Sequence, residues 1–195
     1  LDRIPESGPA LIICNHVSYV DALVITAACH RPIRFVMDHH IFRWPILSFV
    51  FKAGRAIPIA SARDDPVLLE KAFDEVSAAL AAGELVGIFP EGQITSDGEL
   101  CPFRPGISRI LERNPVQVVP VALSGLWGSI FSRRDGPAMS ALWKARPFRR
   151  IAIAAGEPVN ASQALPDSLR ADVLALRGEL RGPGACWQPD QKPYS

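Results

Sequence analysis

The sequence predicts a single α/β domain, a mostly parallel central sheet flanked by helices, and three observations carry that expectation. Short apolar, partly β-branched runs at residues 11–14, 33–37, 85–89, 116–123 and 151–154 have the length and composition of buried strands. Between them lie stretches with helix caps or helical spacing at residues 19–29, 65–82, 107–113 and 166–181. Strand and helix alternating in this order imply parallel strands, because each helix carries the chain back across the sheet. A chain of 195 residues is long enough for one such domain with a sizeable core, and it shows no internal repeat.

Residues 2–9 are an irregular lead-in. The first strand then runs into Asn15-His16-Val17-Ser18-Tyr19-Val20-Asp21. Ser18 with Asp21 three residues later has the spacing of a capping box, so the first helix is expected to start after Ser18 and to end before Arg31-Pro32. Residues 41–51 place large apolar side chains at helical spacing, with Pro45 at a first turn or a break. Gly54 to Ala60 reads as a short strand whose Pro58 suits the edge of a sheet. Asp65 as cap and Pro66 in the first turn open the longest helix, which Gly83 closes. Pro120 inside the run 116–123 predicts a bulge or a strand end, since proline brings no N–H to a ladder. The domain is expected to end with the helix at 181; residues 182–195 are polar and rich in Pro and Gly, as in a linker.

A net charge of +1 disfavours a generic nucleic-acid binder. The charge is uneven, however. From Trp127 to Arg150 six basic residues stand against Asp135 alone, interleaved with Trp127, Phe131, Trp143 and Phe148. Basic side chains attract anionic lipid and aromatic rings favour the headgroup boundary, so this stretch is either a face for peripheral membrane contact or a solvated surface with half-buried rings. Lys52 and Arg55 interrupt the best apolar candidate, so no run is long enough to span a bilayer. The four cysteines, Cys14, Cys29, Cys101 and Cys186, form no CxxC pair and no metal-ligand spacing, as expected in a reducing, cytosolic setting. The opening at Leu1 suits a processed chain, a fragment or one domain of a longer protein.

The candidate chemistry lies in the turn after the first strand. Residues five apart on one helix point about 140° away from each other, so His16 and Asp21 meet only if His16 precedes the helix. In that arrangement the carboxylate takes the Nδ1–H and leaves Nε2 to accept a proton from a hydroxyl. The alternative is that Asp21 completes the helix cap and His16 fills a loop. A second candidate follows the strand at 85–89, which Pro90-Glu91-Gly92 stops abruptly. Gly92 permits close approach of a ligand to backbone N–H groups, and Glu91 can bond a substrate hydroxyl or anchor an arginine. Arg104, in Phe103-Arg104-Pro105-Gly106, sits where a helix start favours phosphate, and Arg55 and Arg63 flank the short edge strand. Asp38-His39-His40 suggests a metal, but adjacent histidines point apart on most backbones and no fourth ligand stands out, so none is expected.

Four blocks in one order resemble the glycerophospholipid acyltransferase superfamily, in its 1-acylglycerol-3-phosphate acyltransferase type. Asn15-His16 to Asp21 matches His-x4-Asp, Phe89-Pro90-Glu91-Gly92 matches Phe-Pro-Glu-Gly, and Val119-Pro120-Val121 matches the late Val-Pro-Val block. Phe103-Arg104-Pro105-Gly106 stands where Phe-Lys-x-Gly is usual. The resemblance runs from Pro9 to Pro158 and implies a glycerol-3-phosphate acyltransferase-like fold, with residues 1–181 as an acyltransferase domain. It implies a general base at His16 supported by Asp21, with Glu91 and Gly92 helping to hold the acceptor; Arg104 and Arg63 are the candidates for its phosphate, and Asn15 and Ser18 are further candidates for substrate binding. It further implies a lysophospholipid acceptor at the cytoplasmic face of the inner membrane. No cofactor is implied beyond the co-substrate, an acyl thioester of acyl carrier protein or coenzyme A.

Two departures bear on phosphate recognition. The usual Gly-x-x-Phe-Ile-x-Arg block reads Gly54 to Ala60 without an arginine in register, leaving Arg63 or Arg55 to substitute, and Gln93-Ile94 replaces the usual Thr-Arg. The runs Ile57 to Ala60, Gln93 to Gly98 and Ser124 to Ser129 are similar to acyltransferase domains of bacterial multidomain proteins. In those, a transporter-like domain precedes and an acyl-acyl-carrier-protein synthetase domain follows, and lysophospholipids, notably lysophosphatidylethanolamine, are reacylated. Two other functions fit the same residues: an acyl-thioester hydrolase with water as acceptor, and a non-catalytic membrane lipid-binding module.

Overall fold

Ala10–Cys14 form β1, and all five side chains are buried, as a strand covered on both faces requires. In the computed structural model, which describes residues 1–43, 45–129 and 151–181, β1 lies inside a six-stranded sheet. The other strands are β2 (Ile33–Asp38), β3 (Ile57–Ile59), β4 (Leu85–Ile88), β5 (Gln117–Ser124) and β6 (Ala152–Ala155), ordered β3-β2-β4-β1-β5-β6. Every pairing is parallel except β5 with β6. The helices are α1 (Asp21–Ala28), α2 (Pro45–Ala53), α3 (Pro66–Ala81), α4 (Gly106–Arg113) and α5 (Pro166–Arg181). The mostly parallel sheet flanked by helices is the architecture that the alternation predicts.

Side chains alternate across β1 and sort into two cores. Leu11 and Ile13 pack with Val86, Val118 and Ala122 against α3, α4 and α5 through Phe73, Ile107 and Leu169. Ala10, Ile12 and Cys14 face the other way, with Phe35, Val119 and Val121, against Ile25 of α1 and Phe51 of α2. Helices as short as α1 and α4, eight residues each, are marginal alone. Burying a side chain such as Ile25 or Ile107 contributes about 1.5–3 kcal/mol, so packing on the sheet is what holds them.

The strand order changes direction around β1. β2 and β3 lie out on one side with β4 returning between β2 and β1, while β5 and β6 lie on the other. The loops after β1, β4 and β5 therefore leave from neighbouring strands about 4.8 Å apart, at the carboxyl end of the sheet where ligands of open α/β sheets bind.

Asp65 caps α3 as its sequence predicts, accepting from Leu68 N at 2.9 Å, with Pro66 as first residue. Pro45 likewise opens α2, after a 3-10 turn at His39–Arg43. β3, three residues long with Pro58 in the middle, is an edge strand.

Two local features differ from expectation. The first helix begins at Asp21 rather than directly after Ser18. Ser18 Oγ accepts from Val20 N at 3.3 Å, and Asp21 reaches back to Ser18 N at 2.8 Å, so only one half of the capping box forms. The second difference is Pro120, which neither bulges nor ends β5; the strand runs through it. The extra residue lies on the partner instead. Val121 pairs with Ala155 but Val118 with Val159, three residues on β5 against four opposite. Pro120 O accepts from Gly156 N at 2.8 Å, and the N–H that proline lacks belongs to this same loosened side.

Candidate active site

Beyond the end of β1 the next two side chains take different tasks. Asn15 is buried and grips β5 with both ends of its amide: Nδ2 donates to Leu123 O at 3.0 Å, and Oδ1 accepts from Leu123 N at 2.8 Å. This fixes where the chain leaves the sheet. His16 then places its Nδ1 2.9 Å from Asp21 Oδ2, an oxygen that also accepts from Val17 N at 2.7 Å and Ser18 N at 2.8 Å. The Asp21 side chain is wholly buried, while His16 keeps 15% of its side chain open. An acceptor in that position selects the tautomer with its proton on Nδ1, which leaves Nε2 as the acceptor. His16 and Asp21 thus meet, as predicted, with His16 ahead of the helix.

One face of the imidazole is covered by Phe89, whose ring centre lies 4.1 Å away and only 13° from parallel. Phe35 stacks behind Phe89 at 5.4 Å. Phe35 in turn lies across Gly87 of β4, where a Cβ would fall 2.5 Å from the ring. A glycine inside a buried strand here admits a neighbouring ring.

Glu91 is 2% exposed. Its Oε1 accepts from His16 N at 2.7 Å and its Oε2 from Cys101 N at 2.8 Å. Burial pushes its carboxyl above the ordinary value, against the opposing pull of those two N–H groups. The arginine that the sequence associates with Glu91 is present but meets its backbone: Arg104 Nε donates to Glu91 O at 3.1 Å. The Arg104 guanidinium also lies over Gly92, whose Cβ would stand 2.6 Å from Nε, and Gly92 has φ +65°, the left-handed region that glycine adopts freely. Arg104 N to Pro90 O at 2.9 Å and Thr95 N to His16 O at 3.0 Å close this turn onto the first.

His16, Asp21, Glu91, Gly92 and Arg104 are therefore gathered at one end of the sheet. Ser18 is buried beside them, and Arg104 is exposed. Arg63 is exposed in the turn after β3, three strands from β1 and so roughly 14 Å aside. Behind the turn, burial and the charges of Asp21 and Glu91 push the Cys14 thiol well above its usual range, and partial burial pushes Cys101 up as well. Neither thiol is activated as a nucleophile.

The adjacent histidines do not point apart. His39 and His40 tilt across each other with ring centres 3.9 Å apart, and with Asp38 they bring one ligand atom each within 4.8 Å. Asp38 draws His40 in, its Oδ1 accepting from His40 N at 2.8 Å and lying 2.9 Å from His40 Nδ1. This cluster lies at the end of β2, with β4 between that strand and β1, which leads into His16.

No helix among the described residues is long and apolar enough to cross a membrane. Of the basic, aromatic stretch, residues 130–150 lie outside the described residues, as do 182–195.

Fold and site together define an α/β protein with a histidine, held by a buried carboxylate, at the carboxyl end of its parallel strands. The chain belongs to the acyltransferase family, whose family model, described as Acyltransferase, matches residues 1–124. The 1-acyl-sn-glycerol-3-phosphate acyltransferase LPAT1, chloroplastic, of Arabidopsis thaliana is 29% identical over 126 residues, 64% of this chain and 35% of that protein. A lyso-ornithine lipid O-acyltransferase of Rhizobium meliloti is 31% identical over 144 residues, 69% of this chain and 48% of that protein. The chain thus spans about a third of the first relative's length and about half of the second's. The crystal structure of the 1-acyl-sn-glycerophosphate (LPA) acyltransferase PlsC from Thermotoga maritima shares the fold, with a TM-score of 0.68 and 18% identity over 96% of this chain and 71% of that one.

Proposed function

We propose that the protein moves a fatty acyl group from an acyl thioester, on acyl carrier protein or coenzyme A, to the free hydroxyl of a lysophospholipid. The observation that carries this reading is the 2.9 Å contact between His16 Nδ1 and Asp21 Oδ2 beside the turn that follows β4. Nε2 takes the hydroxyl proton as the oxygen attacks the thioester carbonyl. The tetrahedral intermediate then collapses, the C–S bond breaks, and the imidazolium returns the proton to the departing thiolate. Asp21 holds the ring and stabilises its charged form during transfer. No covalent acyl-enzyme takes part, in keeping with the raised thiols of Cys14 and Cys101.

Arg104, lying over Gly92 at the approach to α4, holds the acceptor's phosphate, and Arg63 meets a head group that extends toward β3. Asn15, Ser18 and Glu91, bonded to main-chain groups, hold the turns on which the acceptor rests. The relatives' names specify 1-acyl-sn-glycerol-3-phosphate in one case and O-acylation of a lyso-ornithine lipid in the other. Their common chemistry supports oxygen acylation of a lysolipid rather than one head group. The reaction is placed at the cytoplasmic membrane surface, approached peripherally through Trp127 to Arg150, with transporter-like and acyl-activating domains as neighbours in a longer chain.

The test mixes purified protein with acyl thioester and lysophospholipid and follows diacyl lipid and free thiol. His16→Ala is expected to lose about 10²–10⁴-fold in rate. Full transfer by that variant overturns the base assignment. Free acid released equally with and without lysolipid identifies a hydrolase instead, and vesicle binding without turnover identifies a docking module.

A further inference from the structure

The loop from Glu91 to Arg104 carries groups that the proposed reaction depends on, and its outer side is held by α5. Arg170 spreads its guanidinium over two consecutive carbonyls, Nη2 donating to Leu100 O at 2.7 Å and Nε to Cys101 O at 3.2 Å. Two turns further on, Arg177 donates to Gly98 O and lies 3.6 Å from Glu99 Oε1. Residues seven apart share a helix face. Leu169 and Val173, between and beside them, are fully buried in the core, so this face cannot swing away from the loop.

The contact continues inward through one peptide group. Leu100 O and Cys101 N are the two ends of the same planar unit, whose oxygen receives Arg170 and whose N–H donates to Glu91 Oε2 at 2.8 Å. The other carboxylate oxygen of Glu91 accepts from His16 N at 2.7 Å. A guanidinium on one end and a carboxylate on the other polarise that peptide in the same sense, so each bond strengthens the next. We infer that Arg170 is a positioning residue for the His16 base, acting through the Leu100–Cys101 peptide and the Glu91 carboxylate. Helix α5 lies beyond residues 1–124, the part that the family model matches, yet it sets the geometry at the end of β1.

The activity half of the test rests on the acyl-transfer reading; the amide-exchange half does not. In the whole protein, Arg170→Gln removes the charge and the two-carbonyl fork, and Arg170→Lys keeps the charge without the fork. Arg170 is only part-buried, so both variants are expected to fold. Amide hydrogen exchange followed by NMR is expected to quicken at least tenfold, roughly, at Cys101 and His16 in Arg170→Gln, with Ile12 and Ile13 of β1 unchanged. The kcat for transfer is expected to fall by about tenfold or more, with KM for the acyl thioester unchanged and only partial recovery in Arg170→Lys. Unchanged protection at Cys101 and His16, loss spread evenly over the sheet, or a wild-type kcat each overturns the inference. Local loss of protection in a protein that transfers no acyl group sustains the relay and removes the acyl-transfer reading instead.

Discussion

Phe89 lies flat against the imidazole of His16, 4.1 Å between ring centres, and Phe35 presses it there. Phe89→Leu keeps most of the apolar volume but loses a stack worth about 0.5–1.5 kcal/mol and lets the imidazole turn. A fall in kcat/KM of about fivefold is expected, the rate equivalent of ~1 kcal/mol. Steady-state kinetics on the pure variant check it, and an unchanged rate reduces the stack to packing alone.

Gly87 sits at the far end of the same column of rings. Its Cβ in Gly87→Ala would meet Phe35 Cε1 at 2.5 Å and Ile33 Cγ2 at 2.9 Å, inside a strand with no room to yield. Overpacking of this kind costs about 1–3 kcal/mol, readable as a lower urea midpoint. Because Phe35 stacks on Phe89, which covers His16, the same variant is expected to lose activity in excess of any unfolded fraction.

Gly92 and Arg104 are expected to behave as one unit. Gly92→Ala strains a residue at φ +65° and displaces a guanidinium that stands 2.6 Å from the new atom. KM for the lysolipid is expected to rise in Gly92→Ala and in Arg104→Ala alike, and the double variant should be no worse than the poorer single one. Additive effects show instead that the glycine serves something other than Arg104.

Glu91 gives a pH dependence of known sign. Burial raises its folded carboxyl above the ordinary 4.5. Between the two values the folded chain binds the extra proton, so the stabilising contribution is complete below the unfolded value and is lost as pH rises through the folded one. Glu91→Gln removes this titration. The unfolding free energy of the variant minus that of wild type should therefore climb with pH from the ordinary carboxylate range upward, then level off. Denaturant melts at a series of pH values decide it, a flat difference counting against the buried charge.

What the sequence makes legible is what side-chain type and spacing encode. The buried strand before His16, its meeting with Asp21, the capped α3 and the halt after β4 all follow from pattern. Pro120 misleads because a missing donor matters only on the side where a partner stays close, and β6 departs at that point. Glu91 looks available to a substrate because nothing marks the two backbone N–H groups that occupy it. The grip of Asn15 on β5 and of Arg170 on the loop is silent for the same reason, since both side chains bond to main-chain atoms that every residue has. Gly87 offers the one overlooked clue: an isolated glycine in an apolar strand signals a close approach, here by Phe35.

Pro58 stands at the middle of a three-residue strand on the outermost margin of the sheet. An unguarded margin is a template on which a second molecule can lay its own strand and begin a fibrous aggregate. So short a row, with its central donor missing, gives such a visitor too little to hold. Pro58→Val restores that donor, and turbidity on heating is expected to appear earlier than in wild type.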